Sequence, residues 1–167
     1  AEEYGSGIME LTNKGSIQVR GIKKINYSNF VKKIFDNKII LNENDHKFNI
    51  SVNPFWKHND LNNKIYKSLM KIKFPDLHRK FSIVLDTGRK RYLKNISSDI
   101  RFESTQQDKL LMRLGESLKG RVIELNEIDV NIHKTLELIT NFNKKKSTRM
   151  SEILNKSKLE DEWFKEK

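Results

Sequence analysis

The sequence predicts an α+β chain: a small, mostly antiparallel sheet with two short helices, followed by a helical C-terminal arm. Three observations predict it. Short apolar segments with two-residue alternation recur before residue 100, two segments with helical spacing lie between them, and from Ser104 a three-and-four apolar rhythm replaces both. The expected divisions are a flexible N-terminus at 1–11, a basic α+β head at 12–100, a long helix or helical hairpin at 104–145, and an amphipathic C-terminal helix at 146–167.

The first expected strand is SIQVRGIKKI (16–25), which alternates loosely. Asn26 or Ser28 then caps a helix over SNFVKKIFDN, with Phe30, Ile34 and Phe35 inward and Lys32 and Lys33 outward. KIIL, the polar turn NENDH and KFNISV read as a hairpin, because Phe48, Ile50 and Val52 alternate cleanly. NPFWKHND is a loop. Asp60 is a good cap for LNNKIYKSLMKI, where Leu61, Ile65, Leu69 and Ile72 share one face and Lys64, Lys67 and Lys71 another. Pro75 ends that helix. FSIVL is a continuous apolar strand, DTG a turn, and RKRYLKNI its return, with Gly88 free to take the positive φ of a tight hairpin.

Ser104 to Gln107 has the spacing of a capping box. After it Leu111, Leu114, Leu118, Arg121, Leu125, Ile128, Ile132, Thr135, Ile139 and Phe142 follow a heptad rhythm, which reads as a coiled coil. The competing reading is a helical hairpin that breaks at NEID (126–129), with Asp129 as a second cap. The seam of Leu111, Leu114, Leu118, Leu125, Ile128, Ile132 and Ile139 needs a partner: a second copy, or a terminal helix (148–164) folding back with Met150, Ile153, Leu154 and Trp163. NKKKSTR (143–149) reads as a solvated basic joint.

The formal net charge of the 167 residues is +11. Residues 61–95 hold ten basic groups against two acidic ones. A local field of one sign gathers polyanions and speeds their encounter. The contributing residues are Lys64, Lys67, Lys71, Lys73, Arg79, Lys80, Arg89, Lys90, Arg91 and Lys94, with Tyr92, Phe55 and Trp56 nearby in sequence to stack on bases; Phe55 and Trp56 also read as core or loop anchors, the preferred reading for Phe55. The bland alternative is a solvated lysine face. The 25 lysines, 8 arginines and 17 asparagines resemble the composition of an AT-rich genome, as in phages or large viruses.

Several chemistries find no support. The chain has no cysteine, so it has neither disulfides nor thiolate metal sites, which suits a reducing, intracellular compartment. His46, His58, His78 and His133 lack metal-ligand spacing, and no metal or cofactor is expected. No P-loop, dinucleotide fingerprint or G-x-S-x-G elbow occurs. No apolar run is long enough to span a membrane. Two enzyme-like patterns remain. Asp36, Glu43, Asp45 and Lys47 have the residue types of a metal-dependent nuclease. His78, Arg79, Lys80 and Tyr92 are the types a metal-free ribonuclease uses. The expected function is non-enzymatic nucleic-acid binding through the basic hairpin and helix, with the arm setting self-association as a homodimer or as a subunit of a larger assembly. The alternatives are a structural subunit of a nucleoprotein or virion, and a small nuclease.

Overall fold

The computed structural model describes residues 1–12, 16–39, 49–57, 61–75, 77, 78, 80–142 and 149–156. The chain divides into two compact units, Ala1–Lys47 and Phe48–Lys167. Among the described residues it has mixed α and β content: a two-stranded antiparallel sheet, a five-stranded mixed sheet and four α-helices.

In the first unit, β1 (Met9–Leu11) pairs antiparallel with β2 (Ile17–Val19). The expected N-terminal segment 1–11 thus contributes a strand. The Ser6 amide donates to the Arg20 carbonyl at 2.9 Å, and Arg20 pairs with Glu10 at 2.6 Å. A 3-10 turn at Lys24–Asn26 leads into α1 (Tyr27–Asp36), where Asn26 is the cap residue but its side chain makes no capping bond. Phe30, Ile34 and Phe35 are half-buried and Lys32 and Lys33 exposed, as the spacing predicts. Asp36 closes this helix instead of opening a strand. Glu43, Asp45, His46 and Lys47, the rest of the nuclease-like pattern, lie outside the described residues, as do Ile40 and Leu41 of KIIL.

The second unit runs β3 (Asn49–Val52), α2 (Leu61–Leu69), β4 (Ser82–Asp86), β5 (Ile100–Ser104), β6 (Leu110–Leu114), β7 (Arg121–Ile123), α3 (Ile128–Phe142) and α4 (Met150–Lys156). The strands lie in sequence order, β3-β4-β5-β6-β7. The first three are parallel, and β6 and β7 are antiparallel to their predecessors. So the main sheet is mixed rather than mostly antiparallel.

Register sorts the two faces of this sheet. Ile50 and Val52, Ile83 and Leu85, Ile100 and Phe102, Leu110, Met112 and Leu114, and Ile123 share one face. That face is the core, closed by Ile65 and Leu69 of α2, by Ile128, Ile132, Leu136 and Ile139 of α3, and by Met150 and Ile153 of α4. The opposite face carries a row of Ser51, Val84, Arg101 and Arg113 beside a row of Asp86, Glu103, Leu111 and Val122.

Two expectations fail here. The first is the hairpin over 81–96. FSIVL does become a buried strand, but its partner on one side is β5, parallel, reached by a 13-residue segment (87–99) with no helix or strand. Gly88 does not adopt positive φ. It is where the Asn53 amide would pass 3.1 Å from an added Cβ. The second is the long helix. Residues 110–114 and 121–123 are strands, and only Ile128–Phe142 is helical.

The heptad rhythm is coincidental. Leu110, Met112 and Leu114 are the buried set, at the period of two that a strand requires, while Leu111 is half-buried on the other face. Two glycines interrupt the stretch. Gly115 has φ +53°, and a Cβ at Gly120 would meet Arg113 and Leu111 side-chain atoms at 2.7 and 2.8 Å. Ser104 to Gln107 is part of the β5–β6 turn, and Thr105 Oγ1 accepts from the Gln107 and Lys109 amides. The true capping box joins Glu124 and Glu127 at the entry to α3, one turn before Asp129.

The seven seam residues consequently share no helix face. Leu114, Ile128, Ile132 and Ile139 are core, Leu111 and Leu125 are partly covered, and Leu118 is 93 % exposed. Replacing Ile132 with Asp is expected to destabilise the second unit by about 4 kcal/mol, since it empties a packed site and buries a charge. Leu118→Asp is expected to shift stability by less than about 0.5 kcal/mol. Urea denaturation of both variants checks this, because a coiled coil predicts that the two behave alike.

Candidate functional site

The site lies on the polar face of the main sheet, under the 87–99 segment. Parallel strands joined without a helix leave one face to be covered by the connection itself. Here the face beneath the connection carries charged side chains among its apolar ones. The connection is held by hydrogen bonds and ion pairs.

Asp86, the last residue of β4, is fully buried. Its Oδ1 accepts from Asn53 Nδ2 at 2.8 Å and from the Tyr92 amide at 3.3 Å, and its Oδ2 accepts from the Leu93 amide at 2.8 Å. Arg101, one residue into β5, donates from Nη1 to the Leu93 carbonyl at 3.0 Å and from Nη2 to the Ile96 carbonyl. At the start of the connection the Thr87 amide and hydroxyl both donate to Asn62 Oδ1 of α2, and Ser104 Oγ donates to the Thr87 carbonyl at 2.7 Å. The backbone is thus fastened at Thr87, Tyr92, Leu93 and Ile96, between sheet residues that the fold buries for other reasons.

Glu103 sits opposite Asp86 in register and is 2 % exposed along its side chain. Three guanidiniums converge on it: Arg91 and Arg113 at 3.2 Å, and Arg101 at 3.7 Å. Arg113 is also anchored by the Ser117 carbonyl. Burial pushes the Arg101 pKa below its ordinary value, Glu103 opposes that, and the Arg113 charge adds to it. Three guanidiniums and two carboxylates, Glu103 and Asp86, form one charge cluster beneath the loop. The oxygens of Asp86 and Glu103 face N–H donors, so this carboxylate pair is an anchor for arginines and amides. Among the described residues no group of three or more His, Asp or Glu side chains is placed to hold a metal.

The loop presents Arg89, Lys90, Tyr92 and Lys94 outward, while Arg91 turns partly inward to Glu103. Lys90 Nζ stands 5.3 Å from the Tyr92 ring centroid. Tyr92 meets Phe55 at a centroid distance of 4.6 Å, the planes tilted by 46°. Phe55 is oriented by its amide, which donates to Asn53 Oδ1 at 3.0 Å. Trp56 lies 6.4 Å from Tyr66.

The other basic residues are elsewhere. Lys64 and Lys67 are exposed on α2, which covers the apolar face and ends at Leu69, short of the expected Ile72, and Lys71, Lys73 and Lys80 are exposed in the following segment. The start of the loop is joined to α2 by the two Thr87–Asn62 bonds. Arg79 lies outside the described residues, as do His58 and residues 143–148 of the basic joint. Within His78-Arg79-Lys80, the His78 ring accepts the Lys80 amide at 3.2 Å. Arg149, the last residue of that joint, pairs with Asp99 at 2.8 Å, and Asp99 also accepts the Ser82 and Met150 amides.

Sequence reasoning found the displayed residues and missed the frame: Asn53, Asp86, Arg101, Glu103 and Arg113. One signal was available. In IRFES, Ile100 and Phe102 alternate with Arg101 and Glu103, the pattern of a strand with one charged face. No helix among the described residues is long and apolar enough to cross a membrane. No protein-family model and no curated protein matches the chain in sequence.

Proposed function

We propose that this chain binds nucleic acid without acting on it as an enzyme, and that the 87–96 loop makes the phosphate contacts. The observation that carries the reading is the pinned loop. Arg89, Lys90 and Lys94 are held out on a backbone fixed by Asp86 and Arg101, over a sheet face that carries Arg101 and Arg113. Cations on an ordered loop lose less entropy on meeting a phosphate than cations on a loose one. The concentration of ten basic residues in 61–95 supports the same reading, and Lys64 and Lys67 on α2, with Lys71 just after it, supply a second basic ridge. Contacts of this kind fix position on the backbone and carry no sequence information.

The test is fluorescence anisotropy of labelled RNA and DNA across salt concentrations, followed by a gel of the probe. The expected result is an intact probe and a log–log salt slope of about −4 or steeper, which corresponds to several phosphate contacts. The double variant Arg89→Glu, Lys90→Glu is expected to flatten that slope by about two, one for each contact removed. The equivalent reversal at Lys67 and Lys71 reads out the α2 ridge separately. A cut probe would move the reading to a nuclease, and the absence of binding near physiological salt would overturn it.

A further inference from the structure

Resting on that reading, we infer that the nucleic acid is single-stranded, and that one of its bases stacks on the Phe55–Tyr92 pair. Phe55 is 69 % exposed and Tyr92 44 %, although both lie against a frame of buried polar groups. An exposed phenyl ring on a folded surface forgoes burial worth about 1.5–3 kcal/mol, so a rigidly held one invites a partner.

This pair is rigidly held, and by one device. Asp86 Oδ1 accepts from both Asn53 Nδ2 and the Tyr92 amide, while Asn53 Oδ1 accepts the Phe55 amide. Both aromatic residues therefore hang from the same buried Asp86–Asn53 couple. They sit near the C-terminal ends of β3 and β4, the end of a parallel sheet where ligands bind.

What the rings lack is an apolar surround. Their neighbours on the loop are Arg89, Lys90 and Lys94, all exposed. An apolar partner would have to strip water from those cations. A nucleotide presents a flat π-face and an anion together, which matches an aromatic ring bordered by lysine and arginine. A duplex hides its base faces inside the stack and offers only edges and phosphates. A single strand, or the loop of a folded RNA, exposes them. The geometry therefore selects an unpaired strand.

The experiment uses the full chain and labelled probes of about 12 nucleotides, within the span that such surfaces cover. Four probes are compared: single-stranded RNA, single-stranded DNA, a DNA duplex, and an abasic strand with the same number of phosphates. The RNA and DNA arms distinguish the two sources of an unpaired base. The expected result is tighter binding of a single strand than of either the duplex or the abasic strand. Phe55→Ala is expected to weaken single-strand binding roughly 10-fold, with the salt slope unchanged, because stacking is lost and phosphate contacts are kept. Phe55→Trp is expected to restore it, which controls for a local collapse around Tyr92. If Phe55→Ala leaves single-strand affinity unchanged, or the abasic strand binds as well as the intact one, stacking is refuted while phosphate binding stands. If the duplex binds tightest, the single-strand assignment is refuted. If no probe binds, the nucleic-acid reading itself fails.

Discussion

Glu103→Ala is expected to cost about 3–5 kcal/mol of stability, the largest effect of any single polar replacement in this chain. The carboxylate is almost fully buried and is the common partner of Arg91, Arg101 and Arg113. Removing it does not merely delete three ion pairs. It leaves two largely buried guanidiniums, Arg101 and Arg113, repelling each other on neighbouring strands with nothing between them. Arg91 is nearly half exposed, and its share is small because water screens it. Urea denaturation reads the loss directly. A triple variant separates charge from space: Arg101→Met, Glu103→Leu and Arg113→Leu together replace the ionic cluster with apolar bulk. Its stability is expected to return close to that of the parent chain, since well-packed apolar groups commonly match a buried ion network. The loop is not expected to return with it, because Arg101 also ties the Leu93 and Ile96 carbonyls. If the triple variant is as unstable as Glu103→Ala, the cluster is not the source of the loss.

Asp86→Ala is the second large expectation, at about 2–4 kcal/mol. Its carboxylate accepts three hydrogen bonds, and the donors it leaves behind are Asn53 Nδ2 and the amides of Tyr92 and Leu93. Each unsatisfied buried donor costs about 1–3 kcal/mol, less where the freed loop swings out to water. That escape makes the loop the place where the damage appears. Hydrogen exchange at the Tyr92 and Leu93 amides is expected to rise toward the rate of an open segment, while the amides of Ile83 and Phe102 in the sheet stay protected. Under the proposed function, nucleic-acid affinity should fall alongside, because the cations and the aromatic pair lose their common mount. Uniform loss of protection across the sheet would show instead that Asp86 holds the whole unit.

Some local elements of this fold are legible in its sequence; the strands β6 and β7, and the pairing, are not. The amphipathic stripes of α1 and α2, the alternation of Ile50 and Val52, and the continuous run FSIVL each depend on neighbours in the chain, and each forms where the pattern places it. Pairing depends on what lies across space. The return strand expected at RKRYLKNI fails because β4 pairs with residues 100–104, beyond the reach of a short turn. The heptad reading fails because leucines three and four apart also supply a strand's alternation once Leu110 and Met112 are counted. Gly115 and Gly120 mark the breaks that a helix would not tolerate so cheaply. For the candidate site, Arg89, Lys90, Tyr92 and Lys94 were readable as composition. The meaning of Asp86, the lone acid beside them, was not, since its partners include Asn53, 33 positions away.

The bonds that fasten the 87–96 loop fall mostly on its main chain. Asp86 receives the Tyr92 and Leu93 amides, and Arg101 reaches the Leu93 and Ile96 carbonyls. Every residue except proline offers the same amide, and every residue offers the same carbonyl. The shape of the loop is therefore largely indifferent to what side chains it carries at 89, 90 and 94. The residues displayed on the loop and those that hold its backbone are thus largely different, much as hypervariable segments ride on a constant framework. Such a loop can be rewritten for a new ligand while the sheet beneath it keeps its sequence.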